Sequence, residues 1–369
     1  MSLNKDRIIA IYLPQYHPFP ENDEWWGKGF TEWNNVTKAR PRYKGHYEPH
    51  LPADLGFYDL RVPEVREQQA EMAKEAGIYG FCYYHYWFNG KLLMERPLKE
   101  VLESGKPDFP FMICWANENW TRAWDGGEKQ ILIKQDYSED DALNHIKWML
   151  PYLKDPRYIR IDDKPVVAVY RSTIIPDVEK MISIWREEAL KEGLELYICR
   201  FETFSQSGEE YLKPGFDAAI DFQPHNLQGY KEKISFAERC YNKAKRIITK
   251  KTESTFISYP RYIEYNSNLD LPAYKRFPCI TPSWDNSPRR KGAFWAFKHS
   301  SPQLFGKWLR ATIAKFKPYS KDENLVFINA WNEWAEGNHL EPDQKWGKQY
   351  LEEIKKTLTS SATDCKTEK

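Results

Sequence analysis

Val326-Phe327-Ile328-Asn329-Ala330-Trp331-Asn332-Glu333-Trp334-Ala335-Glu336-Gly337 reads as a short apolar strand that runs straight into tryptophans and two carboxylates. A strand whose carboxyl end opens into chemistry-bearing residues suits a fold in which many strand ends meet on one face. The same arrangement recurs upstream. Strands are predicted at Ile8–Tyr12, Tyr79–Tyr84, Phe109–Cys114, Val166–Tyr170, Leu196–Cys199, Ala218–Asp221, Cys279–Pro282 and Val326–Ala330. Amphipathic helical patterns cover Pro63–Ala76, Glu139–Leu153, Asp177–Glu192, Ser301–Phe316 and Asp343–Leu358. The first has Pro63 at its start and Gly77 past its end, the usual asymmetry of helix termini.

Strands alternating with helices fit either a (β/α)8 barrel or a doubly wound sheet. Polar and aromatic clusters follow at least five strands, and no GxGxxG marks a single switch point, so the expected fold is a (β/α)8 TIM barrel. One domain is expected over 1–358, with loop elaborations at 14–62 and 223–275 on the catalytic face and a disordered tail at 359–369.

The 369 residues carry 54 Lys+Arg against 53 Asp+Glu, a net charge of +1. That balance argues against a nucleic-acid partner, and no apolar run reaches the ~18 residues of a membrane span. Met1–Arg7 is polar and only Ile8–Tyr12 follows as an apolar run, so no signal-peptide pattern is read. The six cysteines, at 82, 114, 199, 240, 279 and 365, form no metal pattern, and reduced thiols in a cytoplasmic protein are expected.

Aromatic residues make up 15% of the chain: 15 Trp, 23 Tyr and 19 Phe. Many sit beside polar residues at strand ends, a pairing that suits sugars, with their flat C–H faces and many hydroxyls. Glu333 and Glu336 face opposite sides on an extended strand but the same side in a tight turn, which Gly337 permits. Two carboxyls in one Trp-lined cleft would raise the pKa of one of them, the requirement for a general acid at neutral pH. The alternative is a solvated loop.

The segment Asn332-Glu333-Trp334-Ala335-Glu336-Gly337, with Glu341-Pro342 behind it, resembles the signature of the glycoside hydrolase family 99 endo-α-mannosidases. Together with Tyr12-Leu13-Pro14-Gln15-Tyr16-His17 and Tyr83-Tyr84-His85-Tyr86-Trp87-Phe88 it resembles more closely the WbsX-like branch, whose members are commonly labelled glycosyltransferases of O-antigen and capsule clusters. The resemblance implies Glu336 as general acid/base. It implies Glu333 as the base that lets the sugar 2-hydroxyl attack C1, giving a 1,2-anhydro sugar and net retention. Those mannosidases usually carry His where this chain has Ala335, so sugar and linkage are not carried over.

Candidate substrate-binding residues are Tyr12, Gln15, His17, Tyr84, His85, Trp87, Trp115, Asn117, Glu118, Trp284, Asn332 and Trp334, and Glu32 is a further candidate for the cleft wall. Glu118 has a rival role as the acid of a conventional carboxylate pair with Glu333, which needs a separation of ~5–5.5 Å. His46 and His50 have HxxxH spacing, but Pro49 between them forbids the helix that a zinc pair of this kind needs, so no metal and no cofactor are expected. The expected activity is hydrolysis of an oligo- or polysaccharide, retaining and endo-acting. The alternatives are a glycosyltransferase of lipopolysaccharide or capsule assembly and a non-catalytic carbohydrate-binding barrel. No Asp-x-Asp diphosphate motif or phosphate-binding glycine loop is present in the sequence, which weighs against the transferase.

Overall fold

Apolar, largely β-branched runs such as Ile8-Ile9-Ala10-Ile11 and Val166-Val167-Ala168-Val169 are buried throughout, as strands covered on both faces require. The computed structural model describes residues 6–122, 127–203, 205–224, 227, 230 and 254–367. The parallel strands β1 (Arg7–Tyr12), β2 (Gly80–Phe88), β3 (Phe111–Trp115), β4 (Lys164–Val169), β5 (Tyr197–Glu202) and β6 (Ala218–Asp221) pair in chain order. β7 consists of Arg276–Phe277 and Cys279–Ile280, split by Pro278, which has no N–H to donate to a ladder. Its first half pairs with β6 and its second with β8 (Leu325–Ile328), and β8 pairs with β1. The sheet therefore closes on itself as the expected barrel.

Helices α1 (Pro20–Trp26) and α2 (Trp33–Lys38) lie in the long segment after β1. The outer layer comprises α3 (Pro63–Ala76), α4 (Arg96–Ser104), α5 (Glu139–Leu153), α6 (Val178–Lys191), α7 (Tyr259–Ser267), α8 (Pro302–Lys315) and α9 (Gln349–Thr367). Local chemistry sets their ends. Pro63 opens α3, and Gly77 closes it in the left-handed region. Ser138 and Ser301 cap α5 and α8 by accepting the N–H of Asp141 and Leu304.

The expected helix Asp343–Leu358 starts only at Gln349. Asp343 Oδ1 accepts the N–H groups of Lys345 (2.9 Å) and Trp346 (2.5 Å), and Gly347 takes a positive φ, so the chain turns first. The same helix runs to Thr367, across most of the tail expected to be disordered; no Pro or Gly interrupts it. Most of the 223–275 elaboration lies outside the described residues. Its described end carries a strand, Thr255–Ser258, paired with Trp295–Lys298, and the helix α7, where a loop was expected. Buried Tyr259 and Tyr262 anchor α7, an apolar face hidden by the basic composition around it.

Cys82, Cys114, Cys199 and Cys279 are buried free thiols. Among the described residues no helix is long and apolar enough to cross a membrane.

Gly80 opens β2 where the backbone of the next strand approaches closely. A Cβ there would lie 2.5 Å from the Pro110 carbonyl oxygen and 2.9 Å from Ile159 Cδ1. Gly80→Ala is expected to destabilise the barrel by about 1–3 kcal/mol, the usual cost of overpacking. The measurement is the denaturant midpoint at constant m-value; an unchanged midpoint would show that β2 and its neighbour move apart freely.

Candidate active site

β8 ends at Ile328, and four residues later Asn332–Glu333 pairs antiparallel with Asn338–His339. Between these short strands Trp334–Glu336 makes one tight helical turn, closed by Gly337 at φ 55°. The turn brings Glu333 and Glu336 to one side, as the three-residue spacing requires. Gly337 is doubly constrained: a Cβ there would also meet Asp285 Cβ at 3.0 Å. Next to it, the Asp285 N–H donates to the Glu336 carbonyl at 2.5 Å, tying the turn to the loop after β7.

That loop supplies Arg289, which sequence reasoning missed. Its Nη1 donates to Glu336 Oε1 at 2.6 Å, its Nη2 to Glu333 Oε2 at 2.8 Å, and its Nε to Glu32 Oε1 at 2.6 Å. One guanidinium thus faces three carboxyls from two distant segments, Glu32 after β1 and the Glu333–Glu336 turn after β8. Burial pushes the Glu336 carboxyl up to about 8; Arg289 opposes the rise, while Glu333 and Glu32 add to it. Burial also raises Glu32. The Glu336 carboxyl thus holds its proton more tightly than a free glutamate does.

These groups open into a cleft of about 280 Å³ whose walls come from residues just beyond the carboxyl ends of the strands: Gln15, Tyr170, Phe222, Trp284 and Asn329, with Tyr84, Tyr86 and Glu118. Gln15 Nε2, Trp284 Nε1 and Asn329 Oδ1 are buried there without a hydrogen-bond partner. Buried polar atoms are normally hydrogen-bonded, which sets these three apart. Glu118 is 43% exposed and accepts Arg171 Nη1 at 2.7 Å.

Of the residues expected to bind substrate, Gln15, Tyr84, Glu118 and Trp284 reach the cleft; the additional candidate Glu32 is fully buried behind Arg289 and does not line it. Others lie elsewhere. Alternation along β2 sends Tyr84 and Tyr86 inward, whereas His85 and Trp87 face α5: His85 stacks on Trp148 at 4.3 Å, and Trp87 Nε1 donates to Asp141. Trp115 packs among His145 and Trp185 in the same helical layer. Tyr12 Oη donates to Gln69 on α3. His17 is buried, pushed down to about 4 by desolvation, and is not a cleft residue. Asn117 exchanges hydrogen bonds with the Arg171 backbone, and Asn332 does so with Leu13, so both pin loops. Trp334 stacks on His339 at 3.7 Å and donates to Glu341, supporting the turn from behind.

Two clusters of potential metal ligands lie beyond the turn: His50, His339 and Asp343, and His46, Glu48 and Asp285.

Residues 8–354 match the family model described as "Glycosyltransferase WbsX". The chain belongs to the WbsX family. A protein of the two Xanthomonas campestris pv. campestris strains, described as "Uncharacterized protein WxcX", is 39% identical over 363 residues, 98% of this chain and 50% of the relative. The chain thus spans about half the length of the curated relatives it matches. Among solved structures, a glycoside hydrolase-like protein superposes with TM-score 0.58 at 17% identity, covering 97% of this chain and 95% of the other. The GH99 endo-alpha-mannosidase from Bacteroides thetaiotaomicron gives 0.58 at 13% identity and 98% coverage of both chains. These likenesses show that this WbsX-family chain shares the barrel fold of those structures.

A raised carboxyl pKa means the folded state keeps a proton that the unfolded chain has lost. The Glu336 contribution to stability is full below pH 4.5 and declines as pH rises towards 8. Carboxyl ¹³C NMR should find this titration near pH 8 and find it absent in Glu336→Gln. Because Arg289 opposes the rise, Arg289→Met should move it higher still; a downward move would mean the guanidinium does not act on Glu336.

Proposed function

We propose that this WbsX-family barrel is a retaining, endo-acting glycoside hydrolase for an oligo- or polysaccharide, with Glu336 as acid/base and Glu333 as base. The observation that carries the reading is the pair Glu336 and Glu333, both held by Arg289 at the mouth of one aromatic cleft, with burial pushing the Glu336 carboxyl up to about 8. Glu336 gives its proton to the leaving oxygen. Glu333 accepts the proton of the sugar 2-hydroxyl, which attacks C1; water then opens the anhydro sugar at C1, giving a proton to Glu336 while Glu333 returns its proton to O2. Tyr84, Tyr86 and Trp284 offer ring faces to the sugar, and Gln15, Trp284 and Asn329 offer unsatisfied polar atoms to its hydroxyls. Glu118, 43% exposed and paired with Arg171 on the cleft wall, takes a substrate-positioning role in this scheme.

The family description favours a second reading, transfer of a sugar in glycan assembly. Incubation with candidate glycans, with and without nucleotide sugars, separates the two. Product growth that requires a nucleotide sugar would overturn hydrolysis.

The mechanism has its own test. Glu336→Gln should slow substrates with poor leaving groups by on the order of 10²–10⁴-fold while sparing glycosylation by activated aryl glycosides. Glu333→Gln should slow both classes. A substrate lacking its 2-hydroxyl should be inert, and its turnover at a near-normal rate would sink the anhydro-sugar route.

A further inference from the structure

Behind the catalytic turn lies a second pocket of about 460 Å³, bordered by His50, Gly337, His339, Asp343 and Lys345. His50 comes from the long segment after β1, and His339 and Asp343 come from the segment after the turn. All three are buried, and their ligand atoms lie within 4.8 Å of one another. His50 Nδ1 and His339 Nε2 are 2.9 Å apart, and Asp343 Oδ2 is 3.8 Å from His339 Nε2. Zinc bonds of 2.0–2.2 Å at tetrahedral angles set ligand atoms about 3.3 Å apart, between these two distances.

The outer partners are also in place. His339 Nδ1 donates to the Glu341 carbonyl at 2.9 Å, which fixes the tautomer with a lone pair on Nε2. Asp343 Oδ1 is held by two backbone N–H groups, leaving Oδ2 to face the histidines. Without an ion, His50 satisfies His339 by donating its Nδ1 proton; with one, that proton moves to the other ring nitrogen and both facing nitrogens ligate.

The neighbouring trio lacks this arrangement. His46 Nδ1 accepts the Arg42 N–H at 3.0 Å, so its proton sits on Nε2 and is given to Asp285 at 2.5 Å. No lone pair is left for a metal.

We propose that His50, His339 and Asp343 form a binding site for one divalent transition ion such as Zn²⁺, with the fourth position open to the pocket. Two imidazoles and one carboxylate select such ions over Mg²⁺ or Ca²⁺, which prefer oxygen ligands. The ammonium of Lys345, over the Tyr47 ring at 4.4 Å, puts positive charge beside the pocket, so the ion is held by direct ligation and not by a negative field. The ion would clamp the long segment after β1 against the chain that carries the catalytic turn: a Cβ on Gly337 would lie 3.4 Å from His50 Cε1. The inference is independent of the hydrolase reading.

The test uses the whole chain, stripped with EDTA and titrated with Co²⁺ and Zn²⁺ alone. One equivalent of Co²⁺ should bind with the visible absorption of a four-coordinate site, and Zn²⁺ should displace it and raise the thermal midpoint. His50→Gln and Asp343→Asn should each weaken binding on the order of 10²-fold or more, while His46→Gln leaves it unchanged. Asp343→Asn keeps the oxygen that accepts the two backbone N–H groups, so it guards against loss of folding. Absence of stoichiometric binding, or binding that survives both substitutions or is lost only in His46→Gln, would overturn the site.

Discussion

The site depends on an imbalance of charge. Three carboxyl groups converge on one guanidinium in a cleft where water is scarce. If all three were ionised, two negative charges would stand uncompensated in a low-dielectric setting, where an unpaired charge is expensive enough to be neutralised instead. The cheapest remedy is to keep protons on the acids that burial already disfavours as anions. Arg289 therefore does two things: it gathers Glu32, Glu333 and Glu336 from segments hundreds of residues apart, and as one cation among three acids it opposes but does not cancel the rise that burial gives the Glu336 carboxyl. A second arginine would abolish the acid; without any, Glu333 would lose its fixed partner.

A proton-holding cluster is useful only if its geometry persists, and here the aromatic wealth of the chain has its main use. Trp334 lies flat on His339 and donates to Glu341, which also accepts from Tyr58 and Gln69. Burial pushes Glu341 up to about 7, a second carboxyl kept in the interior by neutral donors and not by an opposing charge. Asn332 clamps Leu13 on both its donor and acceptor sides, and Tyr16 Oη donates to the Asn332 carbonyl. The turn is thus set in hydrogen bonds that run to the segment after β1. Asn332 and Trp334, which read in sequence as sugar contacts, are part of the mould that holds the two glutamates at fixed separation.

This division explains what the sequence could and could not reveal. The barrel was legible because each strand is a short apolar run and several of the outer helices carry their own end signals, as with Pro63, Gly77, Ser138 and Ser301. The two glutamates were legible because their spacing, the glycine after them and the neighbouring tryptophans are all local. Facing was not. In Tyr84-His85-Tyr86-Trp87 every side chain is aromatic, so a period of two leaves no contrast between the barrel side and the helix side. Nor was Arg289: in sequence it stands in a basic run, Arg289-Arg290-Lys291, and only the closed barrel brings it 257 positions back to Glu32. His50 and His339 meet across a similar separation, which is why reading His46 and His50 as an HxxxH pair could not find either cluster.

The family's transferase description and the hydrolase reading ask for the same first half-reaction. Breaking a glycosidic bond needs a proton on the leaving oxygen and a nucleophile at C1, and the proposed roles of Glu336 and Glu333 supply both. The second half-reaction depends on the group that takes the place of the departed one. If water reaches Glu336, the sugar is hydrolysed; if a second sugar hydroxyl is seated there, the same base delivers it and a new bond forms. The choice then lies with the walls of the cleft, with groups such as Glu118 and its Arg171 partner and the unsatisfied Gln15 and Asn329, and not with the acids. A nucleotide-sugar donor would change the problem: its diphosphate leaves without a proton and asks for cations or backbone N–H groups. The cation that faces the two glutamates is Arg289, which already donates to three carboxyl groups and so has its guanidinium engaged.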